Sequence, residues 1–351
     1  MAPQVKRTGL PLRLRMLLAC AAIFLLLAGC AKPAETQLTQ DAAVLPEDTV
    51  VAVTVAPTPS PEPTPDPAMQ PATLVWMSDT QGYASSFPKI LLEMTQWIVD
   101  HAAERNILYV LQTGDIVNDM LRESEWAAAT KAFDVLVGKV PLFAVAGNHD
   151  IKGVVHDYSK YHELMMRQNY LDYATFGGEQ EDGRRRYDLV TICNEDYILI
   201  GVGYSVTGND VKWLNATLQQ YADRTAILLS HNFLSLKNEP PKNDGALIAK
   251  VVAANPNVRY VLCGHMHGLK HEQQEFDDNK DGSVDRVVQA VMVDYQALPN
   301  GGAGYMTLLT FDPVAREIHV TSYSPWLDDY NFYEDESLES FTLPLSTVSG
   351  G

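Results

Sequence analysis

From Thr73 onward the apolar residues fall into short runs separated by polar loops, and the runs alternate between two periods. Thr73 to Met77 is a continuous buried-strand run. Pro88 then opens a helical stretch that sets Ile90, Leu91, Met94 and Ile98 on one face. Ile107 to Leu111 reads as a second strand, Ser124 with Glu125 and Trp126 as the start of a second helix, and Leu142 to Val145 as a third strand. The pattern continues with strand Tyr197–Val202, a helix from about Asn209, strand Ala226–Leu229, a helix from about Ala246 and strand Val258–Leu262. The last part, Val287–Val291, Met306–Phe311 and Ile318–Ser322, is mostly strand. Such alternation predicts an α/β body with a second sheet supplied by the later strands. In open α/β sheets the functional loops follow the carboxyl ends of strands, and that is where the polar clusters fall.

Ahead of Thr73 the pattern is different. A basic stretch, Lys6 to Arg15, precedes an apolar run from Met16 to Leu27, shorter than the roughly 20 residues a membrane span needs. The run ends in Leu27, Ala28, Gly29 and Cys30, which resembles the lipobox of bacterial lipoproteins. That resemblance implies a signal peptide over 1–29 and a lipid on Cys30, with the chain held in the bacterial cell envelope. The anchor would lie on the outer side of the cytoplasmic membrane or in the outer membrane. An ordinary signal peptide or an uncleaved anchor is the alternative. Over 30–71 neither period appears, and seven prolines from Pro57 to Pro71 favour an extended polyproline II linker. The folded domain is expected over 72–345, with 346–351 as a flexible tail.

The chain of 351 residues is 46% hydrophobic and 20% charged, with a net charge of −18. The first 29 residues carry four basic and no acidic side chains, so the remainder is still more acidic. A body of that charge repels a nucleic-acid backbone, and no nucleic-acid partner is expected. A small phosphorylated substrate remains compatible, because bound metal reverses the sign locally. Two cysteines remain in the body, Cys193 and Cys263, both in strand-like runs and expected as buried free thiols rather than a disulfide framework. Nothing in the pattern calls for an obligate protein partner.

Each of five strands is followed at once by residues that can ligate a metal: Asp79 and Gln81; Gly114-Asp115; Gly147-Asn148-His149-Asp150; His231; and Gly264-His265-Met266-His267. Glycine beside a ligand permits close approach of backbone and ion, and alternate residues of an extended segment point the same way, so His265 and His267 can share a site. A lone strand-end Asp or His usually caps or closes a turn; five such clusters in this order do not arise readily by chance. The set resembles the calcineurin-like metallophosphoesterases, with their Asp-x-His, Gly-Asp-x-x-(Asp/Asn), Gly-Asn-His-(Asp/Glu), His and Gly-His-x-His motifs. The resemblance covers Thr73 to His267 by motif and extends to Leu345 by topology.

The resemblance implies a four-layer α/β sandwich: two packed mixed sheets flanked by helices. It assigns one metal to Asp79, Asp115 and His267 and a second to Asp115, Asn148, His231 and His265, with Asp115 bridging. Carboxylate, amide and imidazole ligands suit two divalent Mn, Fe or Zn ions, and such a pair with a bridging hydroxide hydrolyses phosphate mono- or diesters. His149 is implied as the general acid, with Asp150 orienting it and Asn118 supporting the same shell. Three departures stand out. Gln81 occupies the place of the usual His, so the first site is expected to hold metal less tightly. The Gly114 motif lacks the Arg of the Ser/Thr protein phosphatases. Position 118 is Asn, not the Tyr of the purple acid phosphatases. A catalytically weak surface module binding metal or phosphorylated ligand is the rival reading, and only Gln81 speaks for it.

Further candidates lie outside the motifs. Tyr295 and Tyr305 follow and precede late strands and are expected either to shape a substrate pocket or to pack. His156 and His162 are candidates for its border. Asp277, Asn279 and Asp281, with Gly282 and Asp285, resemble the first half of an EF-hand calcium loop without the acid at its twelfth position; the alternative is a polar hairpin turn. The acid-rich stretch Asp328 to Glu339 is expected as a solvated loop.

Overall fold

The computed structural model describes residues 69–152, 155–180 and 183–348. The expected leader 1–29, Cys30, the linker up to residue 68 and residues 349–351 lie outside the described residues. Within them the strands are β1 (Ala72–Met77), β2 (Ile107–Gln112), β3 (Leu142–Ala144), β4 (Phe176–Gln180), β5 (Arg185–Ile192), β6 (Glu195–Val202) and β7 (Thr225–Ser230). They continue as β8 (Val258–Cys263), β9 (Leu269–Phe276), β10 (Arg286–Val293), β11 (Met306–Asp312), β12 (Glu317–Ser324), β13 (Asp329–Tyr330) and β14 (Phe341–Pro344). One sheet runs β13-β12-β11-β1-β2-β3, with β14 also on β12; the other runs β4-β5-β6-β7-β8-β10-β9. In the first, β1, β2 and β3 are parallel; in the second, β6, β7, β8 and β10 are parallel.

The period-2 alternation of a strand explains how one apolar run serves two layers. In β1, Leu74 and Trp76 enter the core between the sheets, with Leu111, Phe143, Leu199, Leu229 and Leu262. Val75 and Met77 face the other way, against helices α1 (Gln81–Ser86), α2 (Pro88–Asp100), α3 (Glu123–Phe133) and α4 (Ser159–Met165). The apolar stripe Ile90, Leu91, Met94 and Ile98 of α2 is buried there, as its spacing predicts. On the far side of the second sheet, α5 (Gly208–Gln220) and α6 (Asp244–Ala254) cover Ile198, Ile200, Leu228 and Val261. Helices, sheet, sheet and helices make the four-layer α/β sandwich.

The pattern did not predict β4, most of β5, or β9. In β5 three consecutive arginines disguise the strand, yet Arg185 and Arg186 are buried along with Arg184 just ahead of it. Arg186 forks onto Asp188 at 3.0 and 2.7 Å and donates to the Leu142 carbonyl at 3.0 Å, while the Tyr109 hydroxyl donates to Asp188 at 2.8 Å. This satisfied network ties β5 to β2 and β3 across the sandwich. In β9, half-buried and exposed positions alternate with no apolar majority, as suits an edge strand.

The EF-hand-like run forms the turn of the β9–β10 hairpin. Asp277 accepts the amides of Asp281 and Gly282, Asp281 accepts that of Ser283, and Asp285 accepts the amide and side-chain nitrogen of Asn279. Calcium ligation by Asp277, Asn279, Asp281 and Asp285 would have to compete with these bonds. Three other expectations change. Cys263 is buried, but Cys193 sits half-buried in the β5–β6 turn. The stretch 346–348 is docked rather than free: Thr347 is buried, and the Ser346 and Val348 amides donate to Tyr260 and Thr225. Glu339, placed in a solvated loop by its neighbours, is also buried and accepts the Tyr333 amide.

Asp210 closes the capping box of α5 with Thr207 and accepts hydrogen bonds from Arg184 at 3.0 Å and Arg185 at 2.6 Å, all three side chains being almost fully buried. Asp210→Ala removes a cap and leaves two buried guanidinium groups without this carboxylate. Breaking a buried pair typically costs about 3–5 kcal/mol. Urea unfolding should therefore show a loss of about 3 kcal/mol or more; a loss below about 1 kcal/mol would show that the cluster contributes little to folding.

Candidate functional site

The parallel strands of both sheets deliver their carboxyl ends to one place. Asp79 follows β1, Asp115 follows β2, and Asn148, His149 and Asp150 follow β3 of the first sheet. His231 follows β7, His265 and His267 follow β8, and Asp294 follows β10 of the second. The turns after the strands are tight: Asp79, Asp115, His265 and His267 all have φ between 51° and 76°. Left-handed backbone is unfavourable for such residues and persists where the surroundings enforce it. Glycines make the approach possible. A Cβ on Gly147 would lie 2.1 Å from Asp115 Oδ1, and one on Gly264 would lie 2.0 Å from Asp79 Oδ2.

Among the described residues, Asp115, His231 and His265 bring their ligating atoms within 4.8 Å of one another. His231 Nδ1 donates to the Thr113 carbonyl at 2.8 Å, which leaves Nε2 facing the cluster. Nε2 lies 2.9 Å from Asn148 Oδ1, 3.0 Å from His265 Nδ1 and 3.4 Å from Asp115 Oδ1. Burial, with His231 beside it, pushes the His265 imidazole down to about 4. An amide oxygen, a carboxylate and two imidazoles converging in this way form a donor set for a divalent cation. This is the set assigned by resemblance to the second metal.

The first set is assembled less closely. Asp79 is buried and accepts the Ser78 hydroxyl and the His265 amide. Burial, then the neighbouring Asp294 and Asp115 carboxylates, raise its pKa well above the ordinary range. The His267 ring is exposed, while its amide donates to Asp294. Gln81 does not point its amide oxygen at Asp115: Nε2 donates to Asp115 Oδ2 at 3.2 Å and to Gln296 Oε1, leaving Oε1 buried without a partner.

His149 lies beside the cluster. Its amide donates to Asp115 Oδ1 at 3.0 Å, and its ring Nδ1 donates to the Asn118 carbonyl at 2.7 Å. The ring is thus oriented by the Asn118 main chain. Asp150, expected to orient it, instead accepts the amides of Gly147, Ile116 and Val117. Burial and the Asp115 charge push the Asp150 carboxyl up to about 7. Its place is structural, pinning the loops after β2 and β3 to each other.

Of the two expectations for Tyr295 and Tyr305, packing describes both. Both are buried between the sheets with ring centroids 5.7 Å apart, and their hydroxyls meet Ser322 and Asp329. His156 faces Arg184 and His162 faces Glu179, while His101, His271 and His319 pair with Trp97, Gln289 and Asp312. Sequence reasoning passed over Asp294 and Gln296 as site residues. Asp294 is buried at the carboxyl end of a parallel strand, the signal that marked the others, and it accepts the amides of His267 and Gln296. The Tyr204 ring, 6.0 Å from His231 and 5.8 Å from His265, is a further neighbour that no motif marked.

Comparison with known proteins agrees with this geometry. The family model described as Calcineurin-like phosphoesterase matches residues 72–269. YvnB, an uncharacterized protein of Bacillus subtilis (strain 168), is 36% identical over 277 residues, covering 78% of this chain and 22% of YvnB. The glycerophosphodiester phosphodiesterase GpdQ of Enterobacter lignolyticus (strain SCF1) is 28% identical over 172 residues, 47% of this chain and 57% of that protein. The chain thus spans about a fifth and just over half of these two relatives. Among solved structures, the purple acid phosphatase PPD1 of yellow lupin (Lupinus luteus) seeds shares the fold, with a TM-score of 0.52 at 14% identity over 80% of this chain and 55% of that one. The chain belongs to the calcineurin-like phosphoesterases, a family of phosphoric ester hydrolases.

Proposed function

We propose that the protein hydrolyses phosphate esters at a dinuclear divalent-metal centre, outside the cell. The observation that carries this reading is the convergence of the His231, His265, Asn148 and Asp115 side chains on one point, the kind of donor set a divalent cation takes. Those four residues would hold one ion; Asp79, Asp115 and His267 would hold the other. The nitrogen and oxygen donors, with no thiolate among them, favour Mn, Fe or Zn. The chemistry supplied by two bound divalent ions is Lewis-acid polarisation of phosphoryl oxygens and activation of water. The chain's own part is to fix the geometry and to move a proton. His149, its ring set by Asn118, turns Nε2 away from that bond and is the side chain suited to protonate a leaving alkoxide.

Two features favour diesters among phosphate esters. One relative bears the name of a phosphodiesterase. Two clefts with no lining residue in common also meet the cluster, one at His149 and Asn148 and one at His265 and Met266, so each substituent of a diester has a place. The second cleft, about 300 Å³, carries Lys237 and Lys242 with Glu239 and suits a polar or anionic retained group.

Asp115 touches members of both sets, Gln81 beside the first and His231 of the second. Asp115→Asn should lose bound metal, measured by elemental analysis, together with at least about 10²-fold in turnover; near-normal turnover with full metal content would falsify its central role. Removing a general acid typically costs about 10²- to 10⁴-fold. His149→Ala should therefore slow alkyl esters by that order and nitrophenyl esters, whose leaving group needs no proton, much less. Equal losses on both classes would exclude proton donation. The extracellular location rests on Cys30: a radiolabelled fatty-acid precursor should mark the wild type and not Cys30→Ser, and an unlabelled wild type released to the medium would end that part of the proposal.

A further inference from the structure

The cleft beside His149 has a composition of its own. It encloses about 380 Å³ and is lined by Asn118, Asp119, Met120, Leu121, Asn148, His149, Ile151 and Lys152. Asn118, Asn148 and His149 make the lining polar beside the cluster, and Met120, Leu121 and the buried Ile151 add apolar surface. A single exposed leucine is ordinary on a protein surface. Leu121, however, is 78% exposed on a loop that is firmly held. The buried Glu125 carboxylate accepts the amides of Asn118 and Asp119 at 2.8 and 2.9 Å, and the Trp126 indole donates to the Met120 carbonyl at 2.9 Å. The opposite wall is fixed by Asp150, through the Gly147 amide. The apolar wall is therefore preformed, next to the side chain placed to protonate a departing alcohol. The one acid and one base of the lining, Asp119 and Lys152, leave the cleft without net charge and give no sign of a seat for a second anionic group.

We propose that this cleft is the leaving-group subsite and that it selects phosphodiesters whose departing alcohol is apolar. The proposal rests on the phosphoesterase reading above. In the step it serves, a water oxygen forms a new bond to phosphorus and gives its proton to solvent, from which His149 is afterwards reprotonated. The bond from phosphorus to the alcohol oxygen breaks, that oxygen keeps the electron pair, and it takes a proton from His149. Met120, Leu121 and Ile151 contact the hydrocarbon of the alcohol and exclude water from it. An added methylene in an apolar enzyme pocket is worth roughly ten-fold or more in specificity.

Two mixed diesters test this: the methyl and hexyl esters of phosphoethanolamine, whose alkanols have similar acidity, so chemistry at phosphorus is matched. With the Mn-loaded full chain, release of each alcohol is followed. Hexanol release should exceed methanol release by at least about ten-fold in kcat/KM. Leu121→Ser, a change at an exposed position that the fold should tolerate, should bring the ratio toward one. Val314→Ser, at an exposed apolar residue of the β11–β12 turn, should keep it. Equal kcat/KM for the two esters, or release of ethanolamine in place of hexanol, overturns the subsite while leaving phosphoesterase activity standing. No turnover of these esters or of a nitrophenyl diester with Mn, Fe or Zn overturns the phosphoesterase reading, and the subsite with it.

Discussion

Like charges are crowded below the surface where the two sheets meet. Asp79, Asp115, Asp150 and Asp294 are all buried at strand ends; burial, then Asp294 and Asp115, drive the Asp79 carboxyl upward, and burial with Asp115 does so for Asp150. Into the same space turn the imidazoles of His231, held by the Thr113 carbonyl, and of His265, whose burial disfavours the positive charge. Burying unpaired carboxylates is expensive, so the cluster makes physical sense as the protein part of a charge-balanced assembly. Two divalent cations would invert the local electrostatics and turn an acidic surface into a seat for a phosphoryl group.

Much of the surrounding architecture serves to hold that crowding still. Left-handed turns aim the ligands, and glycines at 147 and 264 let the carboxylates approach where a methyl group could not fit. Asp150 and Glu125 use buried carboxylates as multi-point acceptors for loop amides, which fixes the loops after β2 and β3. The Arg186–Asp188–Tyr109 network joins the sheets away from the site and keeps their mutual placement from being left to apolar packing alone. A cluster assembled from six strand ends needs such supports, because a displacement of about 1 Å in any one of them changes ligand geometry.

Position 81 shows how one substitution changes the local arrangement. A glutamine here gives the cluster a donor, Nε2, directed at Asp115 Oδ2 and Gln296, and buries an amide oxygen with no partner. An amide can turn over to exchange nitrogen and oxygen, whereas an imidazole has no such choice between a donor face and a neutral oxygen. In the proposed first site the Gln81–Gln296 pair would stand beside Asp79 and His267.

The sequence by itself determined the alternation of strands and helices, the apolar face of α2 and the strand-end identity of Asp79, Asp115, Asn148, His231 and His265. Each of these is a local property: period, glycine neighbours and position after an apolar run travel with the chain. What only the tertiary structure decided is which faces meet. Tyr295 and its neighbours Asp294 and Gln296 are adjacent in sequence, yet Tyr295 packs between the sheets while Asp294 and Gln296 turn to the cluster. Successive side chains of extended backbone point to opposite sides, and which side holds the site depends on packing between strands far apart in the chain. The buried Arg184 and Arg185 were unreadable for the same reason, since their carboxylate partner Asp210 is more than 20 residues away, as is the Leu142 carbonyl that Arg186 reaches. Likewise the orientation of His149 by Asn118, and the apolar cleft beside it, exist only once the loops after β2 and β3 are brought side by side, because contact between distant segments is a property of the fold and not of either segment.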